Sequence, residues 1–156
     1  MSSDPLPRGG HLLKITAYVD GASRGNPGPA GFGASLNVDQ RELIEISGFL
    51  GVATNNVAEY QGLIAALEAA QREGANELEV ISDSLLLVNQ MLGLYQVKHP
   101  NMVPLHRQAR QLARQFPLFS IRHTLRSGNK EADRLANIAV DRADGTIVER
   151  RLLDAG

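Results

Sequence analysis

Apolar and polar residues alternate near the start of the chain, with Leu13, Ile15, Ala17 and Val19 on one side and Lys14, Thr16, Tyr18 and Asp20 on the other. A period of two predicts a half-buried strand ending at Asp20. The stretch GASRGNPGPAG (21–31) is dense in turn residues, and two strand-like runs follow, FGASLNV and ELIEISGFL, separated by Asp39 and Gln40. Links this short predict an antiparallel meander. From Val57 to Glu73 the period becomes helical, with Tyr60, Leu63, Ile64 and Leu67 on one stripe and Gly74 as a stop. LEVISD (78–83) reads as a fourth strand, and SLLLVNQMLG as a helix closed by Gly93. Pro104 opens another helix, striped by Leu105, Ala109, Leu112 and Phe116. FSIRHTL (119–125) is the fifth strand, and a last helix from Lys130 to Ala143 carries Leu135, Ile138 and Ala139. The Ser-, Pro- and Gly-rich residues 1–11 predict a flexible N-terminal tail, and residues 144–156 give no clear periodicity and read as a C-terminal tail. One domain over 12–143 is expected, without internal repeats.

Strands four and five need helical crossovers, so they run parallel and join the meander in a mixed α/β sheet. In such sheets functional groups gather at the carboxyl ends of the parallel strands. The 156 residues suit one domain, and 43% hydrophobic with 21% charged residues is the composition of a folded globular chain. No apolar run approaches the roughly 18 residues of a membrane span, and MSSDPLPRGG lacks a signal-peptide pattern, so a cytoplasmic protein is expected. No hydrophobic strand edge argues for a dimer, which makes a monomer the expectation. Without cysteine there is no disulfide, thiolate zinc site or cysteine nucleophile, and any metal site must use carboxylates and histidines. That favours magnesium or manganese over zinc. The net charge of −1 conceals a split: residues 1–97 hold 5 Lys and Arg against 11 Asp and Glu, and residues 98–156 hold 11 against 6. An acidic half for cations and a basic half for phosphates would suit that division, as would two separately solvated surfaces.

Four acids stand out by placement. Asp20 and Asp83 end strands that would lie side by side if parallel; Glu59 lies early on a helix stripe shared with Leu63 and Ala66, and Asp133 is flanked by Ala132, Leu135 and Ala136. Singly, each has an ordinary role. Glu59 fits a capping box with Asn56 as N-cap, Asp133 complements a helix dipole, and strand-end aspartates serve turns. Jointly, unneutralised carboxylates would raise one another's pKa and destabilise the fold, a difficulty that hard divalent cations remove. Two such ions could clamp the attacking and leaving oxygens of a phosphodiester.

The motifs YVDGASRGNPGPAGFG, TNNVAEYQGLIAAL, VISDS and GNKEADRLAN occur in this order between Leu13 and Ala143, and in them the chain resembles the type I ribonuclease H family. The resemblance implies a ribonuclease H-like fold, a five-stranded mixed sheet with its first three strands antiparallel, in the order 3-2-1-4-5, flanked by helices. It implies that Asp20, Glu59, Asp83 and Asp133 are metal-binding catalytic carboxylates for two Mg2+ ions, with Mn2+ as a substitute. The implied activity is endonucleolytic hydrolysis of the RNA strand of an RNA/DNA hybrid, leaving 5'-phosphate and 3'-hydroxyl ends. Substrate contacts carry over onto Gly21, Asn26, Thr54, Asn55 and Asn56, whose neutral groups suit 2'-hydroxyls, minor-groove edges and a DNA phosphate; turn and capping chemistry would also explain the asparagines.

Three departures from the family pattern bear on function. LRSGNKEAD is short and lacks histidine between Leu125 and Asp133, which by likeness to short-loop relatives points to Arg126 as an aid to leaving-group or product release; His123, inside a strand pattern, reads as structural. Leu85 stands where many members carry a substrate-contacting glutamine. The segment between Met91 and Leu105 is too short for an extra helix and basic loop, so binding must lean on Lys98, His99 or Arg107, Arg110 and Arg114, which share a helical face opposite the apolar stripe; an ordinary solvated face also explains those arginines. A broader ribonuclease acting on double-stranded RNA or RNA/DNA junctions is an alternative within the enzyme class. A non-catalytic hybrid-binding module is a second, expected to have lost a carboxylate, and a phosphotransferase reading of the glycines fails for want of a GK[ST] sequence.

Overall fold

The structure, a computed structural model, describes residues 12–153; the expected N-terminal tail lies outside them. Strands β1 (Lys14–Ser23), β2 (Gly28–Val38) and β3 (Glu42–Ala53) form the antiparallel meander, followed by α1 (Asn55–Arg72), β4 (Glu77–Ser82), α2 (Leu85–Met91) and α3 (Val103–Ala113). After β5 (Leu118–His123) come a 3-10 turn (Arg126–Gly128), α4 (Lys130–Arg142) and β6 (Ile147–Leu153). β4 pairs parallel with both β1 and β5. The sheet order β5-β4-β1-β2-β3-β6 contains the expected order with one strand added. Among the described residues no helix is long and apolar enough to cross a membrane.

The sheet is six-stranded rather than five-stranded because residues 147–153, expected within a C-terminal tail, pair antiparallel with β3 from Gly48↔Ile147 to Glu42↔Leu153. β6 is an edge strand whose side chains are almost all exposed, so burial imposes no period of two on its sequence. Its ladder is joined by charge pairs: Arg150 with Glu45 at 3.4 Å, Arg72 with Glu149 at 2.6 Å, and Arg151 bridging Glu42 and Glu73. Glu45 is buried, and Arg134 of α4 approaches it at 2.8 Å from the other side.

The glycine-rich stretch after Asp20 is mostly ladder, since Gly21↔Phe32, Ala22↔Gly31 and Ser23↔Ala30 are paired and only residues 24–27 turn. Two of the glycines serve close packing. A Cβ on Gly21 would stand 2.4 Å from the backbone of Ala58 and Glu59 in α1, and one on Gly33 would stand 2.4 Å from Ala132 O in α4. Successive strand residues face opposite sides and cross-strand partners the same side, so α1 and α4 cover opposite faces of the sheet. Ile15, Ala17 and Val19 of β1, Leu78 and Val80 of β4, and Tyr60, Leu63 and Leu67 of α1 are fully or almost fully buried in the core.

Truncation after Gly145 is expected to leave a folded protein whose unfolding free energy is lower by about 2 kcal/mol, the sum of an edge ladder and exposed ion pairs. Urea denaturation followed by circular dichroism checks this, and an unchanged midpoint would show β6 to be energetically idle.

Candidate functional site

Parallel pairing of β1 with β4 sets the centre. Val19 is registered with Ser82, so the next residues, Asp20 and Asp83, emerge side by side at the same sheet edge. Gly21 then lets α1 approach closely enough to bring Glu59 in beside them. Each of Asp20, Glu59 and Asp83 offers an oxygen within 4.8 Å of the other two. Asp133 is outside this close group but lines the same cleft: Asp20 is paired with Gly33, against which Ala132 and Ala136 pack, and this brings α4's first turn to Asp20's side of the sheet.

The capping box weighed for Glu59 is not formed. Thr54 is the N-cap of α1, its Oγ1 accepting from Val57 N at 3.2 Å, and the helix begins at Asn55, which puts Glu59 beyond the first turn. Glu59 is therefore free of helix-end duty, and its Oε2 is buried with no hydrogen-bond partner. Asp20, only 4% exposed, accepts from Gly21 N at 2.9 Å. Burial, then the charge of Asp83, pushes the Asp20 carboxyl up to about 8, against the opposing pull of the Gly21 amide. Burial also holds Glu59 well above the usual carboxylate range, with Asp20 and Asp83 adding to it. An oxygen-only set with an orphaned buried oxygen and mutual repulsion fits a hard divalent cation, which would compete with the protons that Asp20 and Glu59 hold more tightly than usual.

Around the carboxylates, Gly21, Ala22, Ser23, Arg24, Asn55, Arg126 and Asn137 complete the cleft. Arg126 sits exposed on the 3-10 turn, whereas His123, exposed at the end of β5, is not among the lining residues. Asn26, Thr54 and Asn56 line a smaller neighbouring cleft with Val57, His99, Asn101 and Met102. The two clefts are joined at Asn55, whose backbone N donates to Asn26 Oδ1 at 2.8 Å.

Sequence reasoning missed three polar residues here. Asn129, 1% exposed, donates from Nδ2 to Val19 O at 2.8 Å and accepts Asp133 N on its own carbonyl at 3.1 Å, tying the end of β1 to the start of α4. Arg24 and Asn137 meet beside Asp133. Asn137 stands one helical turn after Asp133, so its spacing was a usable signal; Arg24 carried none.

Fold and carboxylate cluster together define an α/β protein with an acidic centre suited to divalent cations, and comparison with known proteins agrees. A family described as Reverse transcriptase-like matches residues 18–139. The chain is 48% identical over 133 residues to the "Bifunctional protein Rv2228c" of Mycobacterium tuberculosis, covering 84% of this chain but only 36% of that one. The N-terminal RNase H domain of Rv2228c superposes with a TM-score of 0.80 at 47% identity, over 84% of this chain and 96% of that domain chain. "Ribonuclease HI" of Halobacterium salinarum is 44% identical over 137 residues, 87% of this chain and 67% of that protein. LC11-RNase H1, solved in complex with an RNA/DNA hybrid, has a TM-score of 0.77 at 40% identity over 83% of this chain and 98% of that one. The chain belongs to the type I ribonuclease H family.

In the folded state Asp20 keeps a proton up to about pH 8, whereas unfolded it releases it near about pH 4. The contribution of Asp20 to stability without divalent cation is therefore fully present below about pH 4 and falls as pH rises toward 8. Thermal melts in EDTA across this range are expected to show that fall, and magnesium or manganese at pH 8 to reverse it. Asp20→Asn should flatten the slope and weaken the response to cations.

Proposed function

We propose that this chain is a divalent-metal-dependent endonuclease that hydrolyses the RNA strand of RNA/DNA hybrids. The observation that carries the reading is the convergence of Asp20, Glu59 and Asp83, with a buried Glu59 oxygen lacking any protein partner. Asp20, Glu59, Asp83 and Asp133 would hold two ions, magnesium or in its place manganese. Bound there, such ions supply Lewis-acid activation of a water and charge neutralisation at the scissile phosphate and leaving 3' oxygen. In the net reaction one water is added across the phosphorus–O3' bond: its oxygen bonds to phosphorus as it gives up a proton, the bond to O3' breaks, and the 3' oxygen takes up a proton, which would leave 5'-phosphate and 3'-hydroxyl ends.

No side-chain nucleophile is needed, and the cleft's one hydroxyl is engaged, with Ser23 Oγ donating to Ala53 O at 2.7 Å. Arg126 at the rim places a cation near the leaving group. Gly21 and Asn55 on the wall of the carboxylate cleft, and Asn26, Thr54 and Asn56 in the adjoining cleft, are the substrate contacts in this reading. Hybrid binding is supported by the 40%-identical LC11-RNase H1, seen with that ligand. The protein acts as a cytoplasmic monomer in this reading.

Electrostatic support comes from residues 84–130, which contain seven Lys and Arg and no acid. Not all of them serve the cleft. β4 and β5 begin together at Glu77↔Leu118, so the connection between them leaves from the site edge and returns to the opposite edge. The residues before α3 border the Thr54 cleft, and α3 therefore runs away from the site. Arg110 and Arg114 stand about 12 and 18 Å along the helix axis from Met102 at 1.5 Å per residue. His99, which lines that cleft, and the exposed Lys98 next to it in the chain are the better candidates for phosphate contact.

Cleavage of end-labelled hybrid, duplex RNA and duplex DNA with magnesium, manganese or EDTA tests the function. Metal-dependent cutting of the RNA strand of the hybrid is expected, lowered about 10³-fold by Asp83→Asn. Binding without cutting would leave a hybrid-binding module, and the duplex RNA lane measures substrate strictness. Lys98→Ala should lower the slope of log KM against log salt by about 1, while Arg114→Ala leaves it unchanged.

A further inference from the structure

We propose that Asn137, oriented by Arg24, is a positioning residue that aims the Asp133 carboxylate at the cation site. The inference rests on the carboxylates acting as cation ligands, and adds to that reading the group that sets one of them.

Asp20 and Glu59 are held by burial and by the close approach of β1 and α1. Asp133 is only half-buried, on the first turn of α4 and outside the close group, and its carboxyl lies within hydrogen-bonding reach of Asp20. Asn137, one turn later, donates from Nδ2 to the Asp133 backbone O at 2.9 Å and to Asp133 Oδ1 at 3.3 Å. That contact holds one carboxylate oxygen along the helix, while the Asp20 contact keeps the carboxyl at the carboxylate cleft.

An asparagine amide can present either its oxygen or its nitrogen, and Arg24 on one side and the Asp133 backbone oxygen on the other select the same orientation. A guanidinium only donates, so Arg24 Nη2 at 3.2 Å from Asn137 Oδ1 requires the oxygen on that side and turns the NH2 toward Asp133. Arg24 is in turn anchored by Asp141, its Nη1 lying 2.7 Å from Asp141 Oδ1. Asp133, Asn137 and Asp141 fall at i, i+4 and i+8 on one face of α4, and Arg24 reaches them from the turn between β1 and β2. Arg24 and Asn137 both line the carboxylate cleft. With its charge matched by Asp141, Arg24 acts as a brace for α4.

The test measures Mn2+ binding to the intact protein by calorimetry without nucleic acid, beside hybrid cleavage as a function of Mn2+ concentration. Asn137→Ala is expected to weaken Mn2+ binding about tenfold and to shift the cleavage titration equally, with kcat recovering at saturating metal. Asn137→Gln, which keeps the donor, should recover part of the affinity. Arg24→Ala should weaken it less, and the double variant should match Asn137→Ala alone, because Arg24 acts through Asn137. Melting in EDTA reports any loss of fold separately. Wild-type Mn2+ affinity in Asn137→Ala, or fully additive effects of the two substitutions, would overturn the proposal. So would an Arg24→Ala variant with raised KM for hybrid and unchanged Mn2+ affinity, since Arg24 would then be a phosphate contact. Wild type that binds Mn2+ but cuts no hybrid would defeat the proposed function and leave the positioning role standing; wild type that binds no Mn2+ would defeat both.

Discussion

Repulsion between Asp20 and Asp83 is the constraint around which the molecule is arranged. A parallel ladder that ends by placing two carboxylates side by side, with Glu59 brought against them, works against its own stability unless something positive joins it. The backbone does not relax this conflict, because β1 and β4 lie in the middle of the sheet with buried residues on both sides of the register. Protonation is one way out, and burial together with the neighbouring charges raises the Asp20 and Glu59 carboxyls in that direction. A divalent cation is the other, and it is the one under which all the acids can stay ionised. Folding energy from the core thus holds charges in a geometry they would not choose, and cation binding draws on that stored repulsion.

Close packing is what makes the crowding possible. Gly21 and Gly33 lie at opposite faces of the β1–β2 ladder, and each admits helix backbone to a distance that any side chain would forbid. Through the first, α1 brings Glu59 to the strand end; through the second, α4 brings Asp133 to the same edge. Asn129 then ties the two layers, its amide bonded to the end of β1 and its carbonyl to the first turn of α4.

This explains what was legible in the sequence. Tyr60, Leu63, Ile64 and Leu67 declared α1 because burial of one helical stripe leaves a 3.6-residue period, and Ile15, Ala17 and Val19 declared β1 by a period of two. The four acids stood out because charged side chains at element ends among apolar neighbours need a partner, although only three of them form the close group. β6 escaped notice because an edge strand is held by backbone bonds and surface charge, neither of which leaves a periodic trace. The stretch after Asp20 was read as loop because glycine signals turn and close approach alike, and only the partner helix distinguishes them.

The remaining blind spot is chemical. Asn26, Asn129 and Asn137 carry no charge and no hydrophobic signal, yet they join the β1–β2 turn to α1, β1 to α4, and Asp133 to its own helix. Amides suit these joints because they donate and accept without adding to an already unfavourable charge balance. A carboxylate in the same positions would deepen the repulsion around Asp20, and a lysine or arginine would compete with the cation for the acids. Arg24 fits this logic because its charge is matched by Asp141 and it meets the centre through the neutral amide of Asn137.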